Sequence, residues 1–175
     1  NKFKTKKLKL YFVCFANNDK NLINVHTAFE KEKLKNTFDK VLNKNELSML
    51  RPYFKNSDIG LYKYNNKVNK WLIYATSDPI VESKMPNLFL HFKKFKPMLQ
   101  ERLKRYNESY LWTSLHRPRL ENIFKMDKIL VPYRSKKNAV AFCDRDWFFS
   151  TDCYCITCNN IDNLKYVLAL MNSEP

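Results

Sequence analysis

Short apolar runs separated by polar residues fill the stretch between residues 128 and 156. The runs occupy residues 129–133, 139–142, 147–149 and 152–156, and they are rich in Val, Ile, Tyr, Phe and Trp. Runs of this length and composition, bounded by polar turns, are typical of β-strands that follow one another in a meander. The sequence therefore predicts consecutive strands here, and the first turn between them, residues 134–138, is basic.

Two longer segments repeat apolar residues at helical spacing. The first, residues 29–50, is predicted to follow a capping Thr27, with an interruption at residues 43–46; its apolar positions are Phe29, Leu34, Phe38, Val41 and Leu42. The second, residues 86–106, contains Pro97, which predicts a kink or two helices that meet there. One face of this second segment collects Leu88, Phe92, Phe95, Leu99 and Leu103.

The remaining elements are shorter. Residues 8–15 predict a buried strand, and residues 51–64 predict a loop and then a strand that forms a hairpin with residues 70–74. A short helix at residues 120–124 and a final helix at residues 161–171, capped near Asn159 or Asn160, complete the pattern. This mixture predicts an α+β fold, with small mixed or antiparallel sheets flanked by several helices in one compact domain.

Composition adds a strong positive charge to this picture. The 175 residues include 32 Lys+Arg and 17 Asp+Glu, a net charge of +15, and such a charge attracts polyanions. Nucleic acid is the first candidate partner and an anionic membrane surface the second; a codon usage that favours Lys and Asn is the alternative explanation. No apolar run approaches the roughly 20 residues that span a bilayer. Because nucleic acid is the favoured polyanion, no membrane partner is expected.

Glycine and cysteine narrow the chemistry. Gly60 is the only glycine, which excludes a P-loop and a dinucleotide-binding glycine motif, because each needs several glycines. Five cysteines without a secretory leader indicate a reducing cytosol, so a cytoplasmic location is expected. A structural zinc site is conceivable for four of them, but a single C-x-x-C spacing favours buried core thiols: Cys143, Cys153, Cys155 and Cys158.

Two arrangements are candidates for catalysis, and neither is favoured. Asp78, Glu82 and Lys84 are the residue types of a nuclease metal site, but their spacing is too short to place them on separate strands, which favours a charged loop. Ser114 and His116 are near neighbours, although nothing else around them suggests a catalytic triad. No catalytic, cofactor-binding or metal-binding residue is predicted in this chain.

The basic turn is the best candidate site. It contains Arg134, Lys136, Lys137 and Asn138. Arg can pair with guanine and Asn with adenine in the major groove, while Lys suits phosphates. An ordinary solvated turn is the alternative, and the overall charge favours nucleic acid. The basic end of the second helix, with Arg102 and Arg105, is explained equally well by the negative helix C-terminus and by a phosphate-facing edge.

Five short motifs follow one another between residue 47 and the end of the chain. Residues 50–59, LRPYFKNSDI, match the pattern R/K-P-F-L-R-G-x-D-I, and residues 88–103 match L-x-x-F-x-P-x-L-x-x-R. Residues 112–119, WTSLHRPR, match W-y-x-L-h-R-p-R. Residues 128–157 match K-I-x-x-P-x…F-x-x-D…y-x-I-t, and residues 164–173 match an L-x-x-x-L-N-S helix. Together they resemble the TaqI-like specificity domain of adenine-N6 DNA methyltransferases and fused restriction–modification enzymes.

The resemblance departs from the family in two places. Asn56 stands where the first motif has glycine, and residues 1–46, a strand and a helix, have no counterpart and are left with uncertain affiliation. The domain itself is placed at residues 47–175. Because the family's N-P-P-Y/F catalytic motif and cofactor-binding glycines do not occur in this sequence, we expect the chain to be a fragment of a longer protein.

The resemblance implies a target recognition domain that binds double-stranded DNA. Its partner is expected to be the catalytic methyltransferase domain of the same polypeptide. The cofactor of that domain is expected to be S-adenosylmethionine, with magnesium if a nuclease domain is also present. The residues expected to face DNA are Arg134, Lys136, Lys137 and Asn138, then Arg117, Arg119 and Tyr133, with Lys55, Arg102 and Arg105 on the phosphate backbone.

Two other functions stay open at this point. One is an interaction or scaffold module of a phage-defence protein that resembles a methyltransferase, which would use the exposed aromatic residues. The other is a small metal-dependent nuclease that would use Asp78, Glu82 and Lys84.

Overall fold

The chain has the α+β fold that its sequence predicts. A computed structural model describes residues 9–12, 27–30, 42–68, 70–115, 119–135, 138–149 and 152–173. The chain divides into two compact units. The first comprises Asn1–Cys14, Phe54–Lys67 and Arg119–Pro175, and the second comprises Phe15–Tyr53 and Val68–Pro118.

The described residues contain short strands and short helices. The strands are β1 Lys9–Phe12, β2 Thr27–Glu30, β3 Leu50–Phe54, β4 Ile59–Gly60, β5 Lys63–Tyr64, β6 Lys70–Ile73, β7 Lys128–Pro132, β8 Ala141–Cys143, β9 Phe148–Phe149 and β10 Cys153–Thr157. The helices are α1 Lys44–Ser48, α2 Pro86–Lys94, α3 Lys96–Arg105, α4 Asn122–Lys125 and α5 Ile161–Asn172.

A four-stranded antiparallel sheet with the order β1-β10-β7-β8 forms the centre of the first unit. In the register, Ile129 on β7 lies opposite Ile156 on β10 and Phe142 on β8. Because alternate residues of a strand share a face, Ile129 and Val131 join the same apolar cluster. Helix α5 packs against this cluster through Leu164, Val167, Leu168 and Met171.

The strand pattern is confirmed, but the strand order is not that of a simple meander. Strands β7 and β8 flank the basic turn and pair as a hairpin, as predicted. In a simple meander each strand pairs with the next one along the chain. Here β10 pairs with β7, on the side away from β8, and β9 lies outside this sheet. The final helix is also confirmed, since the side chain of Asn160 accepts hydrogen bonds from the N–H groups of Asp162 and Asn163.

In the second unit, the strands β2, β6 and β3 pair in that order, and the two consecutive helices α2 and α3 share an apolar core with β3 and β6. Its core contains Leu50, Ile73, Ala75, Ile80, Met85, Leu88, Phe92 and Leu99. Phe95 separates α2 from α3, and Pro97 lies in the first turn of α3. Proline lacks an N–H group and is tolerated in a first helical turn, so the predicted break into two helices is confirmed.

Glu46 is a buried carboxylate that caps the start of α2. Its Oε1 accepts the N–H groups of Asn87 and Leu88 at 2.6 and 3.2 Å. Its Oε2 accepts the Asn87 Nδ2 and the Asn43 N–H, both at 2.9 Å. Because a helix N-terminus has free N–H groups and a partial positive charge, this carboxylate supplies the cap that Met85, the residue before α2, does not provide.

The helix predicted at residues 29–50 and the hairpin predicted between residues 51–64 and 70–74 both differ from the observed structure. Phe29 lies in β2, which pairs with β6, so the helix does not start there and Thr27 is a strand residue; residues 31–41 lie outside the described residues. The predicted interruption at residues 43–46 is instead the start of α1, capped by Asn43. The hairpin partner of β6 is β3, with Leu50 opposite Ile73, while residues 59–64 form their own hairpin. Pairing with β6 overrides the helical spacing at Phe29, and pairing of β6 with β3 replaces the predicted local hairpin.

Within the described ranges, no helix combines the length and the apolar composition needed to cross a membrane.

Candidate nucleic-acid interface

The basic turn, residues 134–138, lies where β7 ends and the chain returns towards β8, and is called the recognition turn below. Of its residues, Arg134, Ser135 and Asn138 are exposed. Lys136 and Lys137 lie outside the described residues, as does Arg117. A cationic and an amide side chain, those of Arg134 and Asn138, are therefore exposed at this end of the sheet.

Two tyrosines support the first residue of the recognition turn. The guanidinium carbon of Arg134 lies 5.5 Å from the centre of the Tyr133 ring. The Tyr133 ring in turn meets the Tyr154 ring edge to face, with centroids 5.3 Å apart. A guanidinium over an aromatic face is stabilised electrostatically, so Arg134 is oriented before any ligand binds. Tyr133 itself is 52% exposed.

The backbone at each end of the recognition turn is hydrogen-bonded to residues 55–65, the flanking segment. Asn56 Nδ2 donates to the Arg134 carbonyl at 2.8 Å, and the Tyr62 N–H donates to the Val140 carbonyl at 3.0 Å. Asp152 adds a second link, because its side chain accepts the Asn56 N–H at 3.3 Å and its carbonyl accepts the Tyr133 N–H at 2.8 Å. The turn is thus closed at its base.

The flanking segment has its own internal hydrogen bonds. Asp58 Oδ2 accepts the Lys55 N–H at 2.7 Å, which closes the 3₁₀ turn Asn56–Asp58. The Asp58 Oδ1 and carbonyl accept the side-chain amide and the N–H of Asn65. Tyr62 adopts φ 56° in the tight turn between β4 and β5. This left-handed conformation costs a bulky residue about 1 kcal/mol, and it is held by the hydrogen bond to Val140.

Trp147 also contacts the flanking segment. Its ring stacks on Phe54 at 4.8 Å and 8° and meets Tyr64 edge to face at 6.3 Å. Its Nε1 donates to the Asn65 carbonyl at 3.3 Å. Trp147 is fully buried, so Phe54, just before the flanking segment, and Tyr64 and Asn65, at its end, all contact one large side chain.

Lys128 anchors the other end of β7. Its ammonium is fully buried and donates three hydrogen bonds, to the carbonyls of Phe124, Met126 and Arg145 at 2.7, 3.0 and 2.7 Å. Burial lowers the pKa of Lys128 from its ordinary value, since an ammonium loses hydration in the interior. The three carbonyls use all three of its donors, so the lysine ties β7 to the loop before it and to the loop after β8.

We expect the substitution Lys128→Met to lower the free energy of unfolding by about 2 kcal/mol. Methionine keeps the apolar stem but removes the ammonium donor from all three carbonyls. The Phe124 carbonyl keeps the Trp147 N–H and the Arg145 carbonyl keeps the Cys143 thiol, whereas the Met126 carbonyl loses its donor. Urea unfolding measures the loss. The matched control is Lys125→Met, whose amine is half exposed and paired with Glu121; a surface pair is expected to contribute less than about 1 kcal/mol. Equal effects of the two substitutions would contradict a special role for Lys128.

The other residues expected to contact DNA fall into distinct environments. Lys55 is exposed and Arg119 is half buried. In the second unit, Arg105 is exposed and forms an ion pair with Glu101 at 2.7 Å. Arg102 is buried and paired with Glu108 at 3.4 Å. Burial lowers the pKa of Arg102, which Glu108 partly offsets. The Arg102 guanidinium is therefore not among the exposed cations of the second unit.

The cysteines have the environment of core thiols. Cys143, Cys153, Cys155 and Cys158 are all buried and free. Burial raises the pKa of Cys143 and of Cys153, and raises that of Cys155 to about 11. Buried thiols of this kind behave as small apolar core residues. Among the described residues, no group of three or more His, Cys, Asp or Glu side chains could hold a metal ion.

The candidate catalytic residues do not form a site in the described residues. Asp78, Glu82 and Lys84 are exposed in the loop between β6 and α2. The Ser114 hydroxyl is buried and donates to the Thr76 carbonyl, and His116 lies outside the described residues. A nucleophile needs a base as its partner, and this hydroxyl is instead engaged by the backbone.

Sequence reasoning did not single out Asn56, Trp147 or Lys128. Asn56 carried a signal, since it departs from the glycine of the family motif. Lys128 is the first residue of the K-I-x-x-P motif, but that signal did not indicate its buried role. Trp147 carried no signal, because its partner Asn65 is 82 residues away and meets it only through tertiary folding.

The chain belongs to the TaqI-like C-terminal specificity domain family, whose model matches residues 22–175. The match includes residues 22–46, for which the sequence motifs found no counterpart. No curated protein matches the chain.

Solved structures show a similar fold. The type IIL restriction-modification enzyme MmeI, solved in complex with DNA, is 14% identical with a TM-score of 0.56, over 97% of this chain and 21% of that one. The type IIG restriction endonuclease BpuSI is 16% identical with a TM-score of 0.52, over 95% of this chain and 19% of that one. The chain thus spans about a fifth of the length of these two enzymes.

Proposed function

We propose that this specificity domain recognises a particular sequence in double-stranded DNA. The observation that carries the proposal is the recognition turn: an exposed, oriented Arg134 at the end of the central sheet, with its backbone held on both sides. Preorganised donors lose little entropy on binding, which suits selection among similar base pairs.

The recognition turn would read the edges of base pairs in the major groove. Arg134 can donate two hydrogen bonds to guanine O6 and N7, and Asn138 can pair with adenine N6 and N7. Lys136 and Lys137 would bind phosphates and set the register. Tyr133 and Arg119 would extend this surface, and Lys55 would contact the DNA backbone. Arg117 and Arg105 belong to the second unit and are proposed as separate DNA contacts. Arg102 is left out of this set because it is buried with Glu108.

The catalytic step would belong to another part of a longer polypeptide. We propose a restriction–modification type adenine-N6 methyltransferase that acts in the cytoplasm. S-adenosylmethionine would bind to its catalytic domain rather than to this chain, and magnesium would be needed if a nuclease domain were also present. This chain's contribution would be to bind the duplex and hold its register while the adenine is turned out of the helix.

The Arg134→Ala substitution tests the proposed site. Duplexes are first selected by the wild-type chain from a pool that is randomised in its central base pairs. Binding to the selected duplex is then measured by fluorescence anisotropy across a range of salt concentrations. We expect affinity for the selected duplex to fall by about tenfold to a hundredfold, because the variant cannot form a bidentate arginine–guanine pair. Preference at that base pair should relax.

The control is Arg145→Ala, which removes the same charge from an exposed loop position. If either arginine binds a phosphate, its replacement would lower the salt slope by about 1. An equal fall of affinity in both variants would mean that charge alone carries the binding. A wild-type chain that enriches no sequence at all would refute sequence recognition, and a protein partner retained after nuclease treatment would then favour the interaction-module alternative.

A further inference from the structure

The recognition turn and the residues beside it are held by hydrogen bonds of two kinds. The Tyr62–Val140 and Tyr133–Asp152 bonds join backbone N–H groups to backbone carbonyls. The bond from Asn56 to the Arg134 carbonyl, at 2.8 Å, is made by a side-chain amide. Of these three bonds, the bond to the Arg134 carbonyl is therefore the one that requires a particular residue type as its donor.

Asn56 is placed to support the turn and not to contact a ligand. Its backbone N–H is bonded to Asp152 and its Nδ2 to Arg134. Its Oδ1 is buried and accepts no hydrogen bond within the described part of the chain. The first family motif has glycine at this position, and glycine has no side chain that could donate. The bond between residues 56 and 134 is thus a feature of this chain's own sequence.

We infer that Asn56 is a positioning residue that sets the geometry of the recognition turn and so contributes to sequence selectivity. The inference rests on the proposed function. The bond fixes the Arg134 carbonyl, and with it the backbone direction from which the guanidinium extends. Without it, the turn would sample more conformations, and the ordering of the turn would have to occur on binding.

The effect should differ between specific and non-specific DNA. A hydrogen bond between arginine and a base requires one particular direction, because the base edge offers acceptors at fixed positions. Lysines bind phosphates at many positions along the duplex, and these interactions carry no sequence information. Removal of the Asn56 bond should therefore weaken binding to the selected duplex while leaving non-specific binding and its salt slope unchanged.

The stability of the first unit should change little. The flanking segment keeps its packing on Trp147, the Asp58 bonds and the Tyr62–Val140 bond. Global unfolding is thus not the expected consequence, and local exchange at the turn can be separated from unfolding.

The test uses Asn56→Ala and Asn56→Gly, with Asn66→Ala as the matched control because Asn66 is exposed beside the same segment. We expect the ratio of affinities for the selected and a scrambled duplex to fall by about fivefold in both Asn56 variants, the typical effect of removing one hydrogen bond. Hydrogen exchange of the free chain should become faster at residues 134–140, with the thermal midpoint nearly unchanged. The control should match the wild type in all three measurements.

The outcomes lead to different conclusions. Equal falls of affinity on both duplexes, or a large fall of the thermal midpoint, would overturn the positioning role in favour of a general structural one. Unchanged exchange and an unchanged ratio would show that the bond does not position the turn. If the wild-type chain shows no sequence preference, the proposed function fails and the selectivity role with it; the exchange measurement, made without DNA, still reports whether Asn56 holds the turn.

Discussion

Replacing Trp147 with alanine is expected to lower the free energy of unfolding by about 4 kcal/mol, the typical cost of deleting a large buried aromatic side chain. Trp147 is 1% exposed. Its removal would leave a cavity between Phe54, Tyr64 and Phe149, whose rings it meets. It would also leave the Asn65 carbonyl without the indole donor. Urea denaturation followed by circular dichroism measures the change.

Two further variants sharpen this prediction. Trp147→Phe keeps part of the ring volume but removes the Nε1 donor, so its destabilisation should be about half as large. Tyr166→Ala is the control, since Tyr166 is 67% exposed on α5 and its removal should change stability by about 0.5 kcal/mol or less. A destabilisation of less than about 1 kcal/mol in Trp147→Ala would contradict the packing argument.

The same substitution connects stability with the proposed DNA-binding surface. The flanking segment rests on Trp147 at Phe54 and at Asn65, and it holds the recognition turn through Asn56. Trp147→Ala should therefore increase exchange at residues 55–65 and at the turn together. Asn56→Ala should affect the turn alone.

Glu46→Gln is expected to lower the free energy of unfolding by about 3 kcal/mol. The carboxylate accepts four hydrogen bonds, two on each oxygen. Glutamine keeps one acceptor oxygen, but its NH₂ group is a donor. That group would face the two N–H donors whose hydrogen bonds the second carboxylate oxygen accepts in the wild type. The start of α2 is therefore deprived of acceptors for its free N–H groups as well as of the favourable charge at a helix N-terminus. Thermal or urea unfolding at neutral pH measures the destabilisation.

The pH dependence of stability provides a second measurement on Glu46. Burial raises the pKa of this carboxyl, but the hydrogen bonds from Asn87, Asn43 and Leu88 outweigh burial and hold the pKa below the ordinary value of 4.5. The folded state therefore binds fewer protons than the unfolded state between those two pKa values. The contribution of Glu46 is complete above pH 4.5 and is lost as the pH falls through the folded-state pKa.

Glu46→Gln should accordingly flatten the acid side of the stability curve. Glu82→Gln is the control, because Glu82 is exposed in the loop before α2 and should leave both the neutral stability and the acid slope unchanged. An acid slope that is the same in Glu46→Gln and in the wild type would show that the four hydrogen bonds do not favour the charged carboxylate.

Local sequence signals predicted the elements whose partners are near in the chain. The hairpin around the recognition turn, the two helices divided near Pro97 and the helix capped by Asn160 all follow from neighbouring residues. The prediction failed where the partner is remote. Phe29 lies in a strand because β2 pairs with β6, and residues 59–64 leave β6 free to pair with β3.

The candidate site divides in the same way. Arg134 and Asn138 were found from the sequence because charge clusters at a turn between two apolar runs. Their supports were not found, because Asn56 is 78 residues from Arg134 and Trp147 is 82 residues from Asn65. Hydrogen bonds over such separations depend on the folded backbone and leave no periodic pattern in the sequence.

The sequence by itself determined the fold class, the family and the net positive charge of this protein, because apolar spacing and motif order are local properties of the chain and net charge is a property of its composition. The tertiary structure alone decided which cations are exposed, which strands pair and what holds the recognition turn. Burial and hydrogen bonding place Arg102 in the second unit's interior, Lys128 in the interior at the start of β7 and Asn56 at the base of the turn. All three stand at motif positions, but the motifs do not show that these side chains support the structure; that role depends on their tertiary contacts.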